Sequence, residues 1–569
     1  MNDASQIRSA LLYAIPLLYL LVALIPALVS LFGTAASPNL PAPAWARHWR
    51  WARRISGATV FIACISLVWL AMSGAMITPG VTLLPLGEWG NLTSGIRSDA
   101  LSCIVLLLVT FIGWIIVGYS QPYLAGEPNQ ARYIRALLLT LAAVSMVIIT
   151  NNLLMLALAW LGTSLALHQL LMFYRDRRAA QVAAHKKFLA SRLADVCIFT
   201  AIALIGASVG SLEISEVLAR VTALPSTLPM ALQIAAVLIV LTALLKCAQL
   251  PLHGWLIQVM EAPTPVSALL HAGVVNLGGF VLIRLAVLVN EVPLAQALLV
   301  VVGTVTAVVA ALVMMTRISI KVMLAWSTCA QMGFMLMQCG LGAYEMALLH
   351  LVAHSLYKAY AFLGAGGAVE QARLRQMTFA PPAIGLGIHL LSAIAALAMV
   401  AAAAYIWRIQ PAESPALLAL ASIVCLALAT LLTPILTARR GASGVGMLGT
   451  IGLLAATFSV ALAYFGLHYG FSMLIDLPAH SATASPALIT FTVSCFALLF
   501  LVQGLIRASP AGAVARGLYP WFYNGLFLDP LFTRITFRVW PVKAPGIGKN
   551  DAAHGKNIQP NIEQSGAMK

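Results

Sequence analysis

The most informative residues of this chain are ionisable side chains inside long apolar segments, where one charge costs about 2.5–3.5 kcal/mol at the centre of a bilayer. Lys246 lies in LTALLKCAQLPLHGW, late in an apolar run, and Pro251 follows it. Because proline lacks an N–H and breaks a helix, backbone groups near the lysine are freed to contact water or ions. We interpret Lys246 as a candidate proton- or ion-site residue. The structural alternative is a lysine that extends toward the end of its helix.

Asp195 is a candidate counter-charge for this lysine. It lies in FLASRLADVCIFTAI, three residues after Arg192 and on the same predicted helix face. A lysine stays protonated in an apolar site only beside an opposite charge, since burial alone favours its neutral form. Two interpretations stay open: a structural pair with Arg192, or a pair with Lys246 whose separation can change and so act as a proton switch.

Three titratable side chains share one stripe of a later segment. His350, His354 and Lys358 lie in LLHLVAHSLYKAYAF at positions i, i+4 and i+8. On a helix they occupy one face and span about 12 Å along its axis. Histidine titrates near neutral pH, so two imidazoles and an amine in a row indicate a proton relay.

His271 lies in a fourth apolar segment of this kind, EAPTPVSALLHAGVVNLGGF, which Glu261 begins and His253 precedes. The glycines of the segment permit close helix approach or local distortion. We include all three residues among the candidates for ion translocation. His168 and Arg284 are weaker candidates, for which a structural role is the more common alternative.

The composition identifies the elements that position these residues as membrane helices. Of 569 residues, 61% are hydrophobic and 9% charged, whereas soluble proteins carry about 25% charged residues. The formal net charge of +16 resides in short loops, which is typical of membrane topology rather than of nucleic-acid binding. No GxGxxG, P-loop, haem pair or zinc-ligand spacing occurs, and we predict no cofactor in this chain.

A membrane helix needs about 20 apolar residues. The sequence therefore predicts an all-α polytopic membrane protein with about fifteen transmembrane helices, near residues 10–32, 57–77, 99–119, 134–150, 153–173, 188–209, 230–250, 263–289, 294–315, 322–341, 345–364, 383–406, 415–436, 447–467 and 485–506.

Basic residues between these spans predict the orientation in the cell inner (plasma) membrane. They concentrate in loops 45–54 and 174–187 and continue at Arg317, Arg373, Arg375, Arg439, Arg440, Arg507 and Arg516, all on one face. The positive-inside rule then places the N-terminus in the periplasm and the C-terminus in the cytoplasm.

The aromatic tail Tyr519–Pro541 is too interrupted to span the membrane, and its composition predicts an interfacial helix or a docking strip. The residues from about Pro545 are predicted to be disordered.

Four stretches resemble the antiporter-like membrane subunits of respiratory complex I and of multisubunit cation/proton antiporters: KCAQLPLHGW, MEAPTPVSALLHAG, IKVMLAWSTCAQMGF and LLHLVAHSLYKAYAFLGAG. The resemblance covers about residues 95–370. It implies two inverted five-helix repeats, each with a broken helix, with Lys246 as the central switching lysine and His271, His350, His354 and Lys358 as relay positions. We accordingly divide the chain into N-terminal helices (1–100), an antiporter-like core (101–410), C-terminal helices (411–510) and a docking tail (511–569).

Two departures from this family's usual pattern point to one particular branch of it. The string AWLGTSL keeps Trp160 but has Leu161 where the family usually has glutamate, and the span near 383–406 lacks the usual lysine and an internal proline. With Glu261 and the tail, these features resemble the membrane subunits of DAB inorganic-carbon accumulation complexes. That resemblance implies a large peripheral, zinc-binding partner of the DabA type, related to β-carbonic anhydrases, on the cytoplasmic face. The partner would hydrate CO2 to bicarbonate in one direction, driven by an ion gradient through this chain, which is itself not an enzyme.

Two other functions remain open from the sequence. One is a proton-pumping subunit of an NADH-quinone oxidoreductase, a membrane hydrogenase or a multisubunit cation/proton antiporter. The other is a membrane anchor that conducts nothing, because the usual glutamate and second lysine are missing.

Overall fold

The structure, a computed structural model, describes residues 3–32, 42–224, 228–367, 384–409, 415–438, 447–474 and 485–541, together with residues 370 and 373. The predicted disorder beyond Pro545 and the basic residues Arg375, Arg439 and Arg440 lie outside the described residues.

Helices dominate the described part of the chain, as the long apolar runs predict. We number them in chain order: α1 Asp3–Phe32, α2 Ala42–Ser73, α3 Ala100–Tyr123, α4 Gln130–Ile149, α5 Leu153–Leu171, α6 Arg178–Val209, α7 Ile214–Thr222, α8 Met230–Lys246, α9 Gly254–Gln258, α10 Thr264–Ala272, α11 Leu277–Arg284, α12 Ala286–Asn290, α13 Pro293–Met314, α14 Ile320–Gly340, α15 Tyr344–Leu363, α16 Leu386–Ile406, α17 Pro415–Ala438, α18 Met447–Ser472, α19 Pro486–Ala508, α20 Ala513–Tyr523 and α21 Leu528–Val539.

Within the described residues, 13 helical segments are long and apolar enough to cross a membrane. The other two predicted spans correspond to α8, which has 17 residues, and α15, which has 20 residues but carries the histidine and lysine stripe. The polytopic membrane architecture is confirmed, whereas the count of fifteen spans is not.

A small β region between α2 and α3 departs from the all-α expectation. Strand β1 (Met76–Thr78) pairs with β4 (Ile96–Ser98), and β2 (Thr82–Pro85) pairs with β3 (Asn91–Thr93), both antiparallel. Strands of three or four residues leave little periodic signal in a sequence. The hairpin covers one end of the helices and places Asp99, the N-cap of α3.

Two segments interpreted as basic loops are helical, so this part of the prediction is wrong. Helix α2 begins at Ala42 and α6 begins at Arg178, well before the apolar runs start. In α6 this places Lys186 and Lys187 on a helix that is buried inside the molecule, with 0% and 4% exposure. These two lysines therefore do not act as solvent-exposed topogenic charges.

Two breaks interrupt the helices at the centre of the fold. Helix α8 ends at Lys246, and an irregular stretch leads through Pro251 to the short α9. The next membrane segment is divided at Gly273, between α10 and a 3-10 turn before α11. Close packing surrounds this second break: a Cβ at Gly278 would overlap the Cys247 sulfur, and a Cβ at Gly279 would overlap Met335. The predicted close helix approach is confirmed here.

The buried apolar side chains form one large cluster that runs through α1–α15 and includes Phe532 of the tail. A separate, smaller cluster holds α16–α19 together. The C-terminal tail forms two helices, α20 and α21, and α21 packs against α6 and α9; its predicted interfacial or docking role stays a prediction.

Candidate functional site

Lys246 and Asp195 form an ion pair inside the molecule. The Lys246 Nζ donates to Asp195 Oδ1 at 2.7 Å, and both side chains are only 8% exposed. Arg192, one helical turn before, approaches Asp195 Oδ2 at 2.7 Å. Both pairings of Asp195 are therefore present, because one carboxylate binds two cations, and its role as a proton switch stays a prediction. A carboxylate shared in this way can stay bonded to Arg192 if Lys246 moves away.

Trp160 completes the surroundings of Lys246. Its ring lies 4.6 Å from the Lys246 Nζ, so the ammonium also makes a cation–π contact. Leu161, on the same helix, stands where the family usually has a carboxylate. The counter-charge of Lys246 comes instead from Asp195 on α6.

A small cavity of about 20 Å³ joins Lys246 to Lys187 and is lined in addition by Ser164, Ser191 and Trp255. This volume is enough for about one water molecule. The Lys187 Nζ donates to Ser164 at two atoms, the carbonyl oxygen at 2.6 Å and the hydroxyl at 2.8 Å. The structure thus places a second buried lysine beside the Lys246 pair.

Our sequence reasoning missed Lys187, although a signal was present. Lys187, Ser191 and Asp195 are spaced i, i+4 and i+8, which is the spacing of His350, His354 and Lys358. The lysine was assigned to a loop because its neighbours are basic.

Helix α15 brings the second group of candidates to α10. His271 is fully buried, stacks on Phe362 of α15 with ring centroids 4.5 Å apart, and interacts electrostatically with Lys358. Lys358 is fully buried and donates to the Leu324 carbonyl at 2.9 Å and to Ser327 Oγ at 2.7 Å. No carboxylate pairs with Lys358 among the described residues, so the two lysines have different surroundings.

The predicted stripe continues along α15 into an open cavity. The rings of His350 and His354 lie 5.9 Å apart, and both residues line a cavity of about 400 Å³ together with Ser327, Gln331 and Tyr357. Neither ring nitrogen of His354 has a hydrogen-bond partner. The cavity is also lined by apolar side chains, among them Phe334, Met346 and Leu349. An unpaired imidazole beside an open cavity can exchange protons with water that enters it.

The remaining candidates divide into buried and peripheral groups. His253 is fully buried just before α9, with Nδ1 at 3.3 Å from the Pro251 carbonyl and Nε2 without a partner. Glu261 ends the 3-10 turn after α9 and is partly exposed. His168 lies in the last turn of α5, with its ring 5.5 Å from that of Phe188.

Arg284 has a structural contact. Its guanidinium binds both carboxylate oxygens of Asp99 and donates to Ser102 Oγ at 2.6 Å, which joins α11 to the start of α3. Burial alone would raise the pKa of Asp99, but Arg284 and Arg97 together hold that pKa well below its usual range. The structural alternative for Arg284 is therefore favoured.

Sequence reasoning also missed three titratable groups in the C-terminal half of the described chain. His389 of α16 is 1% exposed and places Nε2 3.1 Å from the Phe500 carbonyl. Glu345 of α15 approaches His468 of α18 at 3.5 Å. Each lies near a helix end, where a single polar residue does not stand out from its neighbours.

Among the described residues, no group of three or more His, Cys, Asp or Glu side chains is arranged to hold a metal ion. The absence of a cofactor from this chain stays a prediction.

Two family profiles match this architecture. Residues 150–404 match the transmembrane family described as NADH:quinone oxidoreductase/Mrp antiporter, and residues 85–134 match the N-terminus of chain 5 of NADH-ubiquinone oxidoreductase (complex I). The matched residues include the Lys246 pair, both helix breaks and the α15 stripe. Fold and sequence thus define an antiporter-like membrane subunit.

Comparison with individual relatives assigns the chain to a smaller group within this class of membrane subunits. It is 42% identical over 467 residues to the "Probable inorganic carbon transporter subunit DabB" of Hydrogenovibrio crunogenus, covering 80% of this chain and 86% of the relative. It is 36% identical to "Probable inorganic carbon transporter subunit DabB2" of Halothiobacillus neapolitanus, covering 97% and 98% of the two chains. The chain belongs to this family of antiporter-like inorganic carbon transporter subunits.

Solved structures support the fold. The Mrp complex from Dietzia matches 97% of this chain and 58% of the solved chain with a TM-score of 0.54 at 22% identity. An archaeal membrane-bound sulfane sulfur reductase matches 92% of this chain and 99% of the solved chain with a TM-score of 0.53 at 16% identity.

Proposed function

We propose that this chain is the cation-conducting, most simply proton-conducting, membrane subunit of an inorganic-carbon uptake complex. In this proposal it lies in the cell inner membrane with its N-terminus in the periplasm and its C-terminus in the cytoplasm. Protons move inward through the His350, His354 and Lys358 stripe and the Lys246–Asp195 region. Their flow drives one-way CO2 hydration in a zinc-dependent, DabA-type peripheral subunit, where the catalysis takes place.

The observation that carries the proposal is the buried Lys246–Asp195 pair at a broken helix. A buried charge pair is weak evidence for stability, because desolvation offsets much of its attraction. The pair lies beside a helix break that frees backbone groups, a recurrent arrangement at membrane ion sites. Arg192 supplies Asp195 with an alternative partner at the same distance of 2.7 Å, so Lys246 can exchange its proton without leaving the carboxylate unpaired.

The second support is the contrast with α16. The related pumping subunits carry a lysine on the broken helix of their second repeat, whereas α16 is a continuous helix of 21 residues without lysine. A chain that keeps the Lys246–Asp195 pair at its first broken helix but has no lysine on α16 suits dissipative inward flow better than pumping against a gradient.

The available energy is sufficient for coupling. One charge moving through about 100 mV supplies about 2.3 kcal/mol. At about 1.4 kcal/mol per factor of ten, this supports a concentration ratio of roughly 50.

The experiment is CO2-limited growth of cells that express this chain with its peripheral partner. We expect Lys246→Ala to abolish growth at low CO2 while Lys321→Ala, which alters a lysine bonded to Thr264 outside the site, grows as wild type does. Normal growth of the Lys246 variant would contradict the coupling role.

Purification separates the proposal from its main alternative. A large soluble zinc protein that co-purifies supports carbon uptake. Quinone- or iron–sulfur-bearing subunits that co-purify instead would indicate a pumping subunit of a respiratory dehydrogenase or hydrogenase.

A further inference from the structure

The C-terminal helix α21 places a carboxylate against the buried part of the molecule. Asp529 Oδ1 accepts from the Lys186 Nζ at 2.7 Å, and Asp529 Oδ2 accepts from Gln258 Nε2 at 2.8 Å. Lys186 is fully buried, whereas the Asp529 side chain is 30% exposed. The tail therefore supplies the counter-charge of a buried lysine 343 residues away in the sequence.

The broken helix is shaped to admit this carboxylate. Gly254, the first residue of α9, lies under Asp529 so closely that a Cβ there would overlap Oδ1. His253, the preceding residue, is fully buried, has no partner for Nε2 and interacts electrostatically with Asp529. Lys186 of α6 and Gln258 of α9 thus each bond to one oxygen of the tail carboxylate.

The same short helix borders the Lys246 site. Trp255 lines the cavity that contains Lys246 and Lys187, while Gly254 and Gln258 of α9 contact Asp529. Lys186 and Lys187 are neighbours on α6, one facing Asp529 and the other facing the cavity. Helices α6 and α9 therefore each contact both the tail carboxylate and the cavity beside Lys246.

Aromatic contacts fix the tail in this position. Trp540 stacks on His185 at 4.1 Å, and the Lys186 Nζ lies 5.6 Å from the Phe532 ring. The Arg317 guanidinium, between α13 and α14, donates to the Phe522 carbonyl at 3.1 Å. The inner face of the tail therefore packs against its own chain, and a partner-docking role of the tail stays a prediction.

We propose that Asp529 is an ion-path residue which, with Lys186 and His253, forms the proton-exchange site between the buried Lys246 region and water at the tail-covered end. A proton released from the Lys186 ammonium or from a protonated His253 passes to the Asp529 carboxylate. The carboxylic acid then loses the same proton to water on its exposed side, which restores the carboxylate, and the deprotonated Lys186 or His253 regains a proton that arrives from the Lys246 region. This inference rests on the proposed ion conduction and adds the residue at its cytoplasmic end.

The test measures inorganic-carbon uptake in cells that express both subunits. Asp529→Asn removes the charge, keeps the size and replaces one acceptor oxygen with an NH2 donor, and we expect it to reduce uptake by about tenfold or more, equivalent to about 1.4 kcal/mol. Asp529→Glu keeps a carboxylate and is expected to retain most uptake. Asp176→Asn, which alters an exposed carboxylate in the loop before α6, is the matched control and is expected to behave as wild type.

A double variant distinguishes an ion-path residue from a structural ion pair. Removing Asp529 alone leaves the buried Lys186 without a counter-charge, which destabilises a protein. Lys186→Gln with Asp529→Asn removes both charges, and we expect it to insert and fold but to stay inactive. Restored uptake in this double variant would show that the pair only fastens the tail and would overturn the proposal.

Two further results would also overturn it: normal uptake in Asp529→Asn, or an Asp529→Glu variant as impaired as Asp529→Asn. Lys246→Ala is measured in parallel. If Lys246→Ala is impaired and Asp529→Asn is normal, only this inference fails. If both are normal, the proposed function fails.

Discussion

The central helices α5–α15 and the C-terminal helices α16–α19 differ in their helix breaks and in the titratable side chains that they enclose. In the central segment Thr264–Arg284, 89% of the apolar window is buried, whereas for Leu386–Ile406 the share is 28%. The central helices are broken twice and enclose Lys187, Lys246 and Lys358, whereas α16 is continuous and buries the single histidine His389. Extensive burial is what lets a membrane protein keep charged groups away from lipid, because such groups need protein partners.

The two regions also differ in the bonding partners of their buried polar groups. The C-terminal helices keep the apolar packing of a membrane bundle, and the buried His389 among them has a backbone carbonyl, that of Phe500, as its partner. The central helices hold pairs with alternative partners, such as Asp195 between Lys246 and Arg192. Under the proposed function, the two bonding partners of Asp195 are what allows Lys246 to exchange a proton.

The largest effect is expected at the Lys246 pair. Asp195→Asn should reduce inorganic-carbon uptake by at least about tenfold, because Lys246 loses its buried counter-charge at 2.7 Å. Asp195→Glu, measured in the same strain, should recover part of the uptake. Equal uptake in wild type and Asp195→Asn would remove the central region from the mechanism.

A somewhat smaller effect is expected on the α15 stripe. His354→Ala removes an imidazole whose two nitrogens have no partner and which lines the open cavity. We expect a several-fold loss of uptake with unchanged membrane abundance. Leu356→Ala, which alters an exposed position on the same helix, serves as the control. A drop in abundance that accounts for the lost uptake would assign His354 a structural role.

The Arg284–Asp99 contact should affect stability rather than conduction. Asp99→Asn keeps the cap of α3 but leaves Arg284 without a counter-charge, which should lower the melting temperature of the detergent-solubilised protein. The pKa of Asp99 in the folded protein lies below its usual value. The ionised carboxylate therefore contributes fully to the free energy of unfolding above the pKa of the unfolded chain, near 3.9, and this contribution is lost as the pH falls below that value. The melting difference between wild type and variant should therefore be the same at pH 6 and pH 8. A difference that shrinks from pH 8 to pH 6 would contradict this assignment.

The smallest effect is expected in the C-terminal helices. His389→Gln keeps a donor for the Phe500 carbonyl and should leave uptake within about twofold of wild type. A loss as large as that of the Asp195 variant would place His389 on the ion path and erase the contrast between the two regions.

Hydropathy predicted the membrane architecture and residue spacing predicted the stripe, because both are local properties of a helix. The pairing of Lys246 with Asp195 followed from the need of a buried lysine for a counter-charge. The contact between Lys186 and Asp529 was not predictable in this way, because the hydropathy of a segment does not show which other helices pack against it. The N-terminal turns of α2 and α6 were misassigned for a related reason. Clustered basic residues are typical of loops between membrane spans, but here they lie within the helices themselves.

The most direct test of the account is bicarbonate accumulation in proteoliposomes that contain this chain and its peripheral partner under an imposed proton gradient. We predict accumulation that depends on the gradient, is abolished by a protonophore, and is absent with Lys246→Ala. Accumulation that persists without a gradient, or that is unchanged in Lys246→Ala, would contradict the claim that this buried pair couples ion flow to carbon uptake.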